Sequence, residues 1–110
     1  MELPNRHRAV VDDAKVRDYL LSPSHPIGHF KAAFFIALGF SPARWHELQT
    51  ALLHHAHTCD ATAGQASPFG TKYEIRATLV GPAGTTGTVV SVWMVGNDVD
   101  FPALITAFPG

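Results

Sequence analysis

The sequence is poor in charge, in cysteine and in uninterrupted apolar stretches, and each shortage excludes something. Charged residues make up 15% of the 110 residues and hydrophobic ones 46%, so there is enough to bury and too little charge to keep a chain unfolded. Eight Lys/Arg against nine Asp/Glu give a formal net charge of −1. No summed positive field therefore draws nucleic acid from a distance, which leaves room only for a local basic cleft. The one cysteine, Cys59, excludes an internal disulfide, and the opening Met-Glu-Leu-Pro-Asn-Arg lacks the apolar core of a signal peptide. Together they lead us to expect a reducing, cytoplasmic home. The longest apolar run, Ala32 to Leu38, has seven residues, far short of the roughly 20 that cross a bilayer, so no membrane partner is expected.

Motifs are missing as well. The chain has no P-loop, no dinucleotide fingerprint, no CxxC pair and no Gly-x-Ser-x-Gly elbow, so nucleotide-cofactor, redox and nucleophile-elbow chemistry drop away and no cofactor is expected. No repeat divides the sequence, and its length fits one domain over 1–110.

Histidine, by contrast, is plentiful: seven residues whose ordinary pKa of about 6.5 suits proton transfer near neutrality. The hydrophobic pattern changes from period 3.6 to period 2 near Cys59 to Ser67, dividing a helical half (about 12–58) from a sheet half (about 68–109). Asp12 or Asp13 can cap a helix through Leu21 that Pro23 stops. Phe30, Ala33, Phe34, Ala37 and Leu38 define a second helix, with Gly39 as its C′ residue. Ser41-Pro42 opens a third, with Trp45, Leu48, Leu52 and Ala56 on one face. Cys59 to Ser67 reads as an irregular crossover. Lys72 to Leu79, Thr88 to Val95 and Ala103 to Phe108 read as three strands of an antiparallel meander, and Arg8 to Val11 could add an edge strand. The expected fold class is α+β: two or three helices packed on a three- or four-stranded antiparallel sheet.

Four constellations could carry chemistry. His25, His29 and Lys31 surround the Pro26-Ile27-Gly28 corner. A histidine there can take a proton and a lysine can stabilise developing charge, while Gly28 at a helix start can offer N–H groups to phosphate. The plainer reading is that His25 only caps the helix. Lys72, Glu74 and Arg76 alternate on the wet face of one strand, about 7 Å apart, either lining a phosphodiester cleft or forming a solvated face. Ser91 and Thr106 supply hydroxyls that could meet across the strands, or serve as ordinary sheet residues. His54, His57 and Cys59 have metal-type donors, yet with no second Cys/His pair elsewhere they read better as an exposed helix end. Trp45 and Trp93 read as core aromatics.

Several short segments are familiar as a set: Tyr19-Leu20-Leu21, His25-Pro26-x-Gly28-x-x-Lys31-Ala32-x-Phe34-Phe35, Gly70-Thr71-Lys72-Tyr73, Ser91-Val92-Trp93 and Thr106-Ala107-Phe108-Pro109. The chain resembles a small bacterial domain family that has these segments in order over nearly its whole length and brings no established activity with it. More distantly it is similar to the barnase, EndoU, colicin-type tRNase and RelE superfold of metal-independent RNase toxins. That resemblance implies His25 or Lys31 as the helix-side acid–base group, Lys72 and Arg76 as strand-side phosphate contacts, and Thr106 as the last-strand hydroxyl. Gly28, His29, Tyr73 and Ser91 are the accompanying candidates for substrate contact.

The leading expectation is an endoribonuclease-like toxin acting on RNA, needing neither metal nor cofactor and matched by a cognate inhibitor. The alternative is a non-catalytic interaction module, monomeric or homodimeric, that uses the sheet edge or the wet face. The near-neutral charge and the lack of a strand-borne histidine favour that alternative.

Overall fold

The computed structural model describes residues 1–110. Three helices precede a four-stranded antiparallel meander with strand order β1-β2-β3-β4, an α+β fold. The helices are α1 (Asp13–Lys15), α2 (His29–Ala37) and α3 (His46–Thr58); the strands are β1 (Thr62–Ser67), β2 (Gly70–Val80), β3 (Thr86–Gly96) and β4 (Pro102–Pro109).

Capping chemistry sets the helix ends. Asp12 starts α1 by accepting the Ala14 N–H at 2.8 Å, satisfying a donor that has no partner within the first turn. α1 then widens over Val16–Leu20 into π-helical winding, and the Leu21 N–H reaches back to the Val16 carbonyl at 3.0 Å. Leu20 and Leu21 are thereby both buried. α2 closes at Gly39, whose φ of 101° is left-handed. The Phe40 N–H bonds Phe35 O at 3.2 Å and the Gly39 N–H bonds Ile36 O at 2.9 Å, the paired bonds of a Schellman ending. Ser41 makes no side-chain cap, contrary to expectation. Pro42–Arg44 forms a 3-10 turn first, and α3 begins only at His46.

The core lies between the helices and one face of the sheet. Leu48, Leu52 and Ala56 of α3, Phe35 of α2, Ile75 and Leu79 of β2, Val89 and Trp93 of β3, and Leu104 and Ala107 of β4 belong to one buried cluster. β2 alternates as expected: Ile75 and Leu79 are buried, while Lys72, Glu74 and Arg76 are exposed.

Two sequence expectations need correction. Cys59 to Ser67 is not an irregular crossover, because Thr62–Ser67 pairs with β2 as an edge strand. All six of its residues are exposed, so no face is buried and no alternation marks it in the sequence. Arg8 to Val11 supplies only an isolated parallel bridge, Val10 with Ala103, at the opposite edge of the sheet.

Candidate functional site

A polar cluster forms where the first helical segment, α2 and β4 meet. Tyr19, in the π-wound turn after α1, directs its hydroxyl to within 3.2 Å of Thr106 Oγ1. Lys31 of α2 donates to the same Thr106 oxygen at 3.0 Å and also to the Tyr19 hydroxyl. The Lys15 and Lys31 ammonium groups lie 5.5 and 4.8 Å from the centroid of the Tyr19 ring, within cation–π range. Burial opposes ionisation of Tyr19, but the hydrogen bonds from Lys31 and Thr106 and the nearby lysine charges outweigh it, so the phenol sits below the ordinary tyrosine range. Thr106 lies beside a β-bulge, where the β3–β4 register shifts; such bulges re-aim side chains at sheet edges.

His25 joins the cluster by packing edge-on to Tyr19, with ring centroids 5.0 Å apart. Its Nδ1 accepts the N–H groups of Ile27 at 3.0 Å and Gly28 at 2.9 Å. The His25 ring thus holds the corner ahead of α2 rather than capping the helix, which has no side-chain cap, and the Gly28 N–H is engaged rather than open to phosphate. Gly28 permits the corner sterically: a Cβ there would stand 2.2 Å from the Tyr19 carbonyl oxygen. A hollow of about 550 Å³ opens beside Tyr19 and His25, lined also by Asp12, Lys15 and Asp18.

The sheet register relates this cluster to the wet face of β2. Glu74 pairs with Val92, and Val92 pairs with Thr106, so the three form one row across the sheet. At about 4.8 Å per strand, Glu74 and Thr106 are roughly 10 Å apart. Arg76 and Lys72 occupy the flanking rows, paired with Val90 and Met94. Lys72, Glu74 and Val92 also line a groove of about 310 Å³ together with β1 residues Gly64 to Ser67.

Ion pairing sorts the cations into two sets. Arg6, Arg8, Arg17 and Arg44 each meet a carboxylate. Lys15, Lys31, Lys72 and Arg76 meet none, and they are the cations at the cluster and on the wet face.

Other candidates lie elsewhere. Ser91 and Thr106 do not meet: Ser91 is fully buried, accepting the Trp93 Nε1–H at 2.9 Å, and pairs in register with Ala107. Tyr73 packs against the core cluster. No three metal-type donors converge anywhere; His54 and Cys59 border a cleft of about 500 Å³ between α3 and β2, while the His57 ring lies 5.9 Å from that of His7. Sequence reasoning passed over Tyr19 and His55. The signal for Tyr19 was its place four residues after Lys15 on one helical face. His55 had only its place in line with Leu48 and Leu52; it is 5% exposed and bonded through Nε2 to the Thr78 carbonyl at 2.9 Å.

Residues 2–110 match the family described as a domain of unknown function, DUF6883. The chain belongs to the DUF6883 family. A search of curated proteins gives no match. Among solved structures, this DUF6883 chain is similar to a chain of a contact-dependent growth inhibition toxin–immunity protein complex from Klebsiella pneumoniae 342. The TM-score is 0.72 at 21% identity, covering 94% of this chain and 95% of that one.

Proposed function

We propose that this DUF6883 chain is a toxin-type endoribonuclease module that cleaves RNA by acid–base chemistry on its own side chains. The observation that carries the reading is Lys31: an ammonium without a carboxylate partner, half-buried against the Tyr19 phenol and the Thr106 hydroxyl. An unpaired, partly desolvated cation is oriented to receive negative charge. The fold shared with a chain of a toxin–immunity complex supports the same reading.

The reaction follows from these groups. A base on the helix side removes the proton of a ribose 2′-OH, and the 2′-oxygen attacks the adjacent phosphorus. Lys31, with Lys72 and Arg76 from the wet face, stabilises the charge on the pentavalent phosphate. Thr106 holds a phosphate oxygen. The P–O5′ bond breaks, Lys31 supplies the proton that O5′ needs, and a 2′,3′-cyclic phosphate remains. The Tyr19 hydroxyl, bonded to Lys31, helps to restore that proton.

A second reading, an interaction module without turnover, is favoured by a different observation. Ile27 and Phe30 flank the His25 corner at 66% and 76% exposure, more apolar surface than a free helix start needs. In that case the partner is a protein, as in the toxin–immunity complex whose chain shares the fold.

Expression in bacteria separates the two. Growth arrest with fragmented RNA for wild type, and normal growth for Lys31→Met, is the expected result. Harmless expression of wild type with intact RNA contradicts the ribonuclease reading and favours the module.

A further inference from the structure

Tyr19 is the residue common to the hollow and to the hydrogen-bonded cluster. It lines the hollow beside His25, and its hydroxyl bonds both Lys31 of α2 and Thr106 of β4. The other polar groups around the hollow are engaged elsewhere. His25 Nδ1 receives the backbone N–H groups of Ile27 and Gly28. A backbone N–H can only donate, so the neutral ring has its proton on Nε2 and no free lone pair. Asp18 accepts two hydrogen bonds from Arg17, each 3.0 Å long, and these hold its carboxyl below the usual carboxylate range. Asp12 accepts the Ala14 N–H at the start of α1. Neither carboxylate bonds Lys31, so a proton taken up there has no direct way to it.

The titratable groups around Tyr19 are Asp12, Lys15 and Asp18 from its own helical segment, His25 from the corner and Lys31 from α2; β4 contributes the neutral Thr106. Burial opposes ionisation of the phenol, but the Lys31 and Thr106 hydrogen bonds and the Lys31 and Lys15 charges outweigh it. A phenolate bonded to an ammonium is a base and an acid in one pair, with a path for a proton between them.

We infer that the Tyr19 oxygen is the general base of this site and that it works with Lys31 as a proton relay. The inference rests on the ribonuclease reading above and names the base which that reading requires. In the step, the 2′-OH proton passes to the Tyr19 phenolate as the O2′–P bond forms. The P–O5′ bond then breaks, and the leaving oxygen takes a proton from the Lys31 ammonium. The phenol proton crosses the Tyr19–Lys31 hydrogen bond to the amine, which restores phenolate and ammonium. Nothing is gained or lost by the protein over the cycle: the nucleophile's proton ends on the leaving group.

Two measurements test it. The chain has two tyrosines, Tyr19 and Tyr73, so ultraviolet titration of the phenols reads Tyr19 by difference. One phenol should ionise below the ordinary value of about 10, vanish in Tyr19→Phe and titrate higher in Lys31→Met. Two ordinary phenols in wild type overturn the inference whatever the chain cleaves. Single-turnover cleavage of a short RNA is then followed against pH, with RNA binding and thermal melting recorded. We expect the wild-type rate to rise about tenfold per pH unit up to the Tyr19 midpoint, and Tyr19→Phe to be about 10²–10⁴-fold slower at unchanged binding. Replacing tyrosine by 3-fluorotyrosine, which acidifies the phenol and preserves the hydroxyl, should move the rising limb to lower pH. An unmoved limb, or a Tyr19→Phe rate within about twofold of an active wild type, overturns the base assignment and leaves the ribonuclease reading standing. An inactive wild type overturns both.

Discussion

Lys31 of α2 and Thr106 of β4 are 75 positions apart in sequence and 3.0 Å apart in space. Their contact joins the helical layer to the edge strand, and Tyr19 bonds to both. It also places an uncompensated ammonium beside a sheet row that runs from Thr106 through Val92 and Glu74 to Thr62.

Replacing Lys31 by methionine keeps most of the buried stem and removes the charge. We expect RNA cleavage to fall by about 10²–10³-fold, the usual cost of removing a donor aimed at developing negative charge, with only a small change in urea midpoint. Kinetics beside denaturation separates the two effects. A large loss of stability with cleavage intact would assign Lys31 to structure alone.

Gly28→Ala tests the steric basis of the corner. Its Cβ would lie 2.2 Å from the Tyr19 carbonyl oxygen, so the Tyr19 turn or the start of α2 must move. Overpacking of this kind costs about 1–3 kcal/mol, and chemical denaturation is expected to register it along with impaired cleavage. Wild-type stability in this variant would mean that the two segments are not in contact.

How much of this was legible follows from what each element buries. β2 and β3 could be read because each has a face against the core, with Ile75 and Leu79 on one and Val89 and Trp93 on the other. β1 could not, since all six of its side chains are exposed. Lys31 and Thr106 could be chosen by chemistry, but their meeting depends on a bulge that no local pattern encodes. Tyr19 was not singled out as a site residue because its partners Lys31 and Thr106 come from distant segments. His55 was hidden among His54, His55 and His57, which together resemble an exposed helix end.

Stability should depend on pH through His55. Burial lowers its pKa, and the bond to the Thr78 carbonyl only partly offsets that. Around pH 6.5 and just below, the unfolded chain therefore binds more protons than the folded one. The His55 contribution is present above about pH 6.5 and is lost as the pH falls below it. Urea midpoints at about pH 7.5 and 5.5 should drop further for wild type than for His55→Gln. Equal drops would contradict the account.

Trp93→Phe removes the Nε1–H that bonds Ser91 Oγ at 2.9 Å inside the core. Ser91 then retains only a 3.5 Å contact to the Ile75 carbonyl, and a buried group deprived of its partner costs about 1–3 kcal/mol. Adding Ser91→Ala to Trp93→Phe should recover part of that loss, because both polar groups are then gone. A double variant no more stable than Trp93→Phe would show that the bond contributes little.

The central claim is tested most directly with purified chain and total RNA in excess chelator, reading the ends of the products. Our account predicts 2′,3′-cyclic phosphate ends from wild type, formed about 10²–10³-fold more slowly by Lys31→Met and unaffected by the chelator. Intact RNA with folded wild-type protein, or cleavage that the chelator stops, would contradict it.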